Sequence, residues 1–217
     1  MLFRPLLPDY VRSAEMPPLA GDPACLHPDE RQIVERAVDK RRREFAAGRQ
    51  LAHRLLADAG SATHRLLPDK DRVPVWPMGI VGSITHCNSL CAVAIARASD
   101  ALAIGLDVEP ATPLKQELLP HIVREAERAR LDGLPEALRP LGGILTFSIK
   151  EAVYKAIYPE RRIFLDFHQV EIDFEGEDRF VAEVLVPEAT LPGCERIRGR
   201  FRVAGGHVVS AVVLPRR

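Results

Sequence analysis

The 217-residue chain reads as an α+β protein of two similar lobes, each a helix packed on a short antiparallel sheet, with a site in the groove between them. Three observations carry that reading. A helical apolar stripe followed by short strand-like runs occurs twice, once on each side of about residue 104. The composition, 47% hydrophobic and 28% charged, is that of an ordinary globular protein with room for one large domain or two small ones. An acidic pair, Asp107 and Glu109, falls at the junction of the halves and a further glutamate, Glu151, on the helix of the second, and the expected lobes are 1–104 and 105–217.

The elements follow in order. The stretch to about Pro28 is proline-rich and without period, so it is expected to be an irregular arm packed on the body. Ile33, Val34, Ala37 and Val38, then Phe45, Leu51, Ala52, Leu55 and Leu56, predict a long helix that breaks or bends near Gly48 and ends at Ala59-Gly60-Ser61. Prolines 68, 74 and 77 around Trp76 predict a loop. Strands are expected at Ile80–Thr85, Cys91–Arg97 and Ala103–Val108. A charged helix over about Glu117–Leu131 precedes a linker to Gly143 and a helix ending at Pro159. Strands at Val170–Phe174, Phe180–Val186, Ile197–Val203 and Val208–Leu214 close the chain.

The sequence Ile104-Gly105-Leu106-Asp107-Val108-Glu109-Pro110 places two carboxylates on one face of a strand and two apolar side chains on the other, and Pro110 stops the pairing. In the second helix, Leu145, Ile149, Ala152, Val153 and Ala156 share a buried face. Lys150, Glu151, Tyr154, Lys155 and Tyr158 gather opposite, free to line a cleft. If the strand end meets that helix, Asp107, Glu109 and Glu151 supply three oxygen ligands to Mg²⁺, which completes its octahedron with water and phosphate oxygens. That combination points to phosphoryl-type chemistry.

Composition narrows the partners. Thirty basic and 30 acidic residues cancel, which argues against a general nucleic-acid binder and leaves Lys40-Arg41-Arg42-Arg43, with Arg49 and Arg54, as a local positive patch. No stretch has the pattern of a signal peptide or the apolar length of a membrane span, so a cytoplasmic protein is expected. Four cysteines have neither the density of a disulfide scaffold nor metal-site spacing. A zinc site on His86, Cys87 and Cys91 would need two adjacent residues to reach one ion, so reduced thiols are expected.

Three runs in order, Trp76-Pro77-Met78-Gly79-Ile80-Val81-Gly82-Ser83-Ile84-Thr85-His86, then Gly105-Leu106-Asp107-Val108-Glu109, then Phe147-Ser148-Ile149-Lys150-Glu151-Ala152-Val153-Tyr154-Lys155, resemble the 4′-phosphopantetheinyl transferase superfamily of the surfactin-synthetase and enterobactin-synthetase component D type. The first run is closer to the enterobactin and actinobacterial branch. The resemblance implies a single-chain pseudo-dimer with coenzyme A in the interlobe groove. It implies transfer of the 4′-phosphopantetheine arm to a serine of an acyl or peptidyl carrier protein, with release of 3′,5′-ADP and a requirement for Mg²⁺, or Mn²⁺ in its place. A monomer is expected, and neither nucleic acid nor membrane is implied. The carrier's pathway, whether fatty-acid, polyketide, peptide or siderophore synthesis, stays open.

Carried over by residue, the resemblance implies metal binding by Asp107, Glu109 and Glu151 and pyrophosphate binding by Lys155. It implies contact of His86 with the 3′-phosphate, Ser83 and Thr85 lining the same strand end, and Arg41 and Arg49 at the nucleotide phosphates. Lys150, Tyr154, Phe164 and Leu165 fall where the pantetheine arm would lie. Relatives often offer a basic residue from the loop before the tryptophan; here the loop reads Pro68-Asp69-Lys70-Asp71-Arg72, and either Lys70 or Arg72 would serve.

Glu151 and Lys155 are the expected catalytic pair, the first as acceptor of the serine proton, directly or through water, the second stabilising the leaving group. Taken singly, these features have plainer explanations. Glu151 and Lys155 are spaced as a surface ion pair, the basic run as a solvated helix face, and His86 as a structural histidine. A Mg²⁺-dependent phosphohydrolase acting on coenzyme A or a related nucleotide, and a non-catalytic coenzyme A or carrier-binding module, are the competing functions.

Overall fold

In the computed structural model, which describes residues 1–216, two antiparallel sheets each carry a long helix. The first sheet is ordered β1 (Arg12–Met16), β3 (Cys91–Arg97), β2 (Ile80–His86), and α2 (Asp39–Asp58) lies on it, preceded by the short α1 (Pro28–Ile33). The second sheet is ordered β4 (Ala101–Pro110), β8 (His207–Pro215), β7 (Arg196–Ala204), β6 (Arg179–Val184), β5 (Val170–Glu175), with α5 (Gly142–Arg161) packed on β4 and β8. Two short helices, α3 (Leu119–Ile122) and α4 (Glu125–Asp132), fill the connection before α5. This is the two-lobed α+β architecture expected from the alternation of elements. Position 104, the expected lobe division, falls inside β4, and Arg217 at the end of the expected second lobe lies outside the described residues.

Apolar clusters on and between the sheets hold the lobes. Ala47, Leu51, Ala52, Leu55 and Leu56 recur at helical spacing along α2 and meet Val93 and Ile95 of β3. Leu145, Ile149, Ala152, Val153 and Ala156 of α5 pack on Val208 and Val212 of β8, the buried face read from the sequence. Between the sheets, Ala92, Ala94 and Ala96 meet Leu106, Val108 and Val209, and the N-terminal arm caps this layer with Phe3, Leu6 and Leu7. Alternation on β4 thus sends Leu106 and Val108 into the interlobe core and leaves Asp107 and Glu109 for the helix side.

Several boundaries moved. The arm contains an edge strand, β1, which pairs with β3 along its whole length; the alternating Arg12–Met16 run was masked by prolines on both sides. The break in the first helical region lies between Ile33 and Asp39, and α2 runs through Gly48. Glycine there serves close approach, because a Cβ would meet Ile84 Cγ2 at 3.2 Å. The charged stretch 117–131 divides into α3 and α4 because the Glu127 carboxylate accepts the Arg124 N–H at 2.7 Å and starts a new helix. Helix α5 continues two residues past Pro159 and closes on Arg162 in the left-handed region, φ 57°.

Candidate active site

The groove begins with one glycine. A Cβ on Gly105 would lie 1.8 Å from the carbonyl oxygen of Ala152, so only glycine lets α5 approach β4 this closely. The approach brings the next residues on each element together. Lys155 Nζ stands 2.6 Å from Asp107 Oδ1 and 3.4 Å from Thr85 Oγ1, and the threonine hydroxyl donates to the same carboxylate oxygen at 3.4 Å. The second Asp107 oxygen, Oδ2, is buried with no hydrogen-bond partner.

The seam between the lobes is closed by side chains. Strands β2 and β4 belong to different sheets, and the Leu106 N–H bridges them by donating to Ser83 Oγ at 3.1 Å. Ser83 therefore has a structural bond as well as a place on the cleft wall.

Electrostatics mark the acidic cluster as unbalanced. Burial, then the neighbouring Asp107 and Glu151 charges, push the Glu109 carboxyl up to about 7 against the opposing pull of Lys155. Glu151 is raised in the same sense, first by burial, with Lys155 opposing and Asp107 adding. Three carboxylates that share one lysine, one with an orphaned buried oxygen, form a hard-oxygen donor set suited to a divalent cation. In the arrangement seen, no three acidic, histidine or cysteine side chains among the described residues already stand close enough to hold an ion, and Lys155 supplies the positive charge beside Asp107.

Beside this cluster opens a cleft of about 640 Å³ between α2, β2, the 68–76 segment and α5. Arg41, Arg49, Ser83, His86, Tyr154 and Lys155 all face it, joining basic groups from both lobes. Arg49 is buried, stacks 4.3 Å over the Phe45 ring, makes no salt bridge among the described residues, and leaves its Nε without a partner. Burial lowers its guanidinium to about 10, so it keeps its charge at neutral pH. Arg41 Nη1 lies 3.4 Å from His86 Nε2, and Glu44 lies 3.5 Å from the same nitrogen. Burial holds His86 below its usual range despite Glu44.

A smaller pocket of about 90 Å³ continues past Tyr154, which lines both spaces. Lys150, Glu151, Phe164 and Leu165 surround it, and Phe164 is largely exposed while its edge meets the Tyr154 ring at 5.9 Å.

Most of the expected residues thus converge, and one departs from its expected setting. Lys150 does not join a solvent-facing polar stripe: it is buried, and its ammonium donates to Glu127 Oε2 and to the carbonyls of Ile122 and Phe167, each at 2.8 Å. A lysine with three fixed acceptors holds α3, α4 and the 163–169 segment onto α5 and frames the small pocket. His86, Cys87 and Cys91 form no metal-holding cluster among the described residues, and Cys25, Cys87 and Cys91 are free thiols. Of the two basic loop residues, Arg72 faces the cleft and Lys70 does not line it. Sequence reasoning missed Glu44, whose signal was its i+3 spacing from Arg41, and Glu127, buried in a stretch that reads as solvated.

Comparison with known proteins places two family models in tandem on the chain. The 4′-phosphopantetheinyl transferase N-terminal domain matches residues 29–96, and the 4′-phosphopantetheinyl transferase superfamily matches residues 103–206. The chain is 39% identical over 196 residues to 4′-phosphopantetheinyl transferase Svp of Streptomyces mobaraensis, covering 88% of this chain and 79% of that one. It is 34% identical to 4′-phosphopantetheinyl transferase Npt of Nocardia iowensis, covering 97% and 99% of the two chains. It is 31% identical to enterobactin synthase component D of Salmonella typhi, covering 80% and 72%. No helix among the described residues is long and apolar enough to cross a membrane.

Proposed function

The chain belongs to the 4′-phosphopantetheinyl transferase superfamily and is a phosphopantetheinyl transferase, and we propose that it moves the phosphopantetheine arm of coenzyme A to a serine of a carrier protein with Mg²⁺ and release of 3′,5′-ADP. The observation that carries the mechanism is the contact of Lys155 with Asp107, with Glu109 and Glu151 within electrostatic reach, beside a cleft lined by Arg41, Arg49 and His86. The halves 1–104 and 105–217 act, in this reading, as the two walls of one site in a monomeric, cytoplasmic protein.

Arg41 and Arg49 receive the phosphates at the nucleotide end, where Arg49 offers a charged guanidinium not neutralised by any carboxylate in ion-pair contact among the described residues. His86, held neutral by burial, donates one ring N–H to the 3′-phosphate, and Ser83 and Thr85 fix the strand end it stands on. The pantetheine arm runs past Tyr154 into the space framed by Phe164, Leu165 and Lys150.

Asp107, Glu109 and Glu151 would hold the divalent ion, which when bound neutralises pyrophosphate charge as the bond to the leaving nucleotide lengthens. Lys155 moves from Asp107 towards the leaving phosphate oxygen and stabilises the charge that develops there. The carrier serine oxygen bonds to phosphorus, the bond from phosphorus to the 3′,5′-ADP oxygen breaks, and the serine proton passes to Glu151.

Intact mass measurement of an apo carrier incubated with the protein, coenzyme A and Mg²⁺, with an EDTA control, tests the reading. One added phosphopantetheine, lost in EDTA and accompanied by stoichiometric 3′,5′-ADP, is the expected result. Coenzyme A cleavage without carrier modification, or binding without turnover, overturns it in favour of hydrolysis or a silent module.

A further inference from the structure

The wall of the cleft opposite α2 is a strap, residues 68–76, that belongs to neither sheet. Val73, Pro74 and Trp76 line the large cleft on one side and, on the other, a second cavity of about 220 Å³ that reaches Lys155 and Arg162. The strap folds back on itself through the Pro68–Pro74 bridge and the bond from the Val75 N–H to the Leu67 carbonyl at 2.9 Å, and Trp76 packs on the core beneath α2. The strap's position depends on its anchors.

At one end the Trp76 ring covers Gly82 so closely that a Cβ there would fall 2.6 Å from it. At the other, Asp69 holds two structures at once. Its Oδ1 accepts the N–H groups of Asp71 at 2.9 Å and Val73 at 3.0 Å, which folds the turn. Its Oδ2 lies 2.6 Å from Arg162 Nη1, and the same guanidinium nitrogen lies 3.5 Å from Asp71 Oδ2. Arg162 comes from the other lobe, at the end of the helix that carries Glu151 and Lys155.

Backbone conformation singles out the same place. Arg72 and Arg162, at φ 65° and 57°, are the non-glycine residues in the left-handed region among the described residues. Such conformations persist where the surroundings over-determine them. Here both belong to one clasp, and one of them, Arg72, lines the cleft.

We propose that Arg162 is a positioning residue for the nucleotide-bearing end of the substrate: its clasp on Asp69 and Asp71 fixes the strap and sets Arg72 against the phosphates. The clasp also neutralises two carboxylates at the edge of a site that must receive a polyanion. The inference rests on the coenzyme A reading above.

Steady-state kinetics of wild type, Arg162→Ala, Arg162→Lys, Arg72→Ala and the Arg72→Ala/Arg162→Ala double variant test it. A partly exposed ion pair is worth no more than about a fivefold change in an equilibrium constant. Arg162→Ala is therefore expected to raise KM for coenzyme A about fivefold. The kcat and the KM for the carrier stay within about twofold. Arg162→Lys recovers most of the loss through its remaining charge on Asp69, and the double variant is no worse than the poorer single one. Should Arg162→Ala not fold, Arg162→Gln, which keeps the stem beside Tyr158, carries the same expectation. Unchanged KM for coenzyme A, a loss confined to kcat, or fully additive single variants would overturn the clasp while wild-type transfer stands. A wild type that neither binds coenzyme A nor modifies any apo carrier would overturn the functional reading instead.

Discussion

Lys155 bypasses Glu151, four residues before it on the same helix, and places its ammonium 2.6 Å from Asp107 on β4, the strand against which that helix packs. The spacing suits an ordinary helical ion pair, yet the partner lies on β4. A surface pair would leave both groups in water. This one is stored at the mouth of the acidic cluster, with the Asp107 carboxylate buried behind it.

Loss of that lysine has two expected consequences. Lys155→Ala removes the charge that meets the leaving group and should cut kcat/KM about 10²–10³-fold. It also leaves Asp107 buried and unpaired, which should destabilise the fold by about 1–3 kcal/mol. Single-turnover transfer and urea melts measure the two separately, and near-normal transfer would remove Lys155 from the chemistry.

Lys150 should behave in the opposite way. Its ammonium is enclosed by three acceptors, so Lys150→Ala strands the buried Glu127 carboxylate and is expected to cost about 3–5 kcal/mol. Coenzyme A affinity measured on the folded fraction changes little. A stable Lys150→Ala protein with a large rise in KM would make it a ligand contact instead.

Gly105→Ala tests the close approach. The new Cβ would collide with the backbone of α5, which cannot rotate away as a side chain can. Overpacking of this kind costs about 1–3 kcal/mol or more, and the shift of α5 should reduce transfer more than it reduces stability. Full activity would mean that the two elements have slack between them.

The acidic cluster predicts a pH dependence for the metal-free protein. The Glu109 carboxyl is raised in the folded state from 4.5 to about 7, so the native state binds more protons than the unfolded chain between those values. The stabilisation is complete below the unfolded value and is lost as pH rises through about 7. In EDTA, melting temperature should therefore carry a Glu109-dependent decline from about pH 5 to 8 that Glu109→Gln abolishes. Added Mg²⁺ should offset the decline by binding the ionised form. An identical pH profile in the variant would dismiss the shift.

Much of the frame could be read before folding. Alternation along Leu106–Glu109 was enough to separate core from carboxylates, because a strand has a period of two whatever it packs against. The apolar face of α5 followed from helical spacing, and the three motif runs fixed the family that the comparisons then showed. Less legible were β1, hidden among prolines, and the division of the charged stretch by the Glu127 carboxylate. Both depend on partners far along the chain. Periodicity carries no information about them.

The sequence by itself determined which side chains could do chemistry and which faces must be buried, since those follow from residue type and local period. Tertiary structure decided the pairings. It buried Lys150 against Glu127, turned Lys155 to Asp107, brought Arg72 to the cleft, and clasped Asp69 with Arg162 from the other lobe. Each is a contact between elements whose approach is set by packing, and long charged side chains take whichever partner that packing brings within reach.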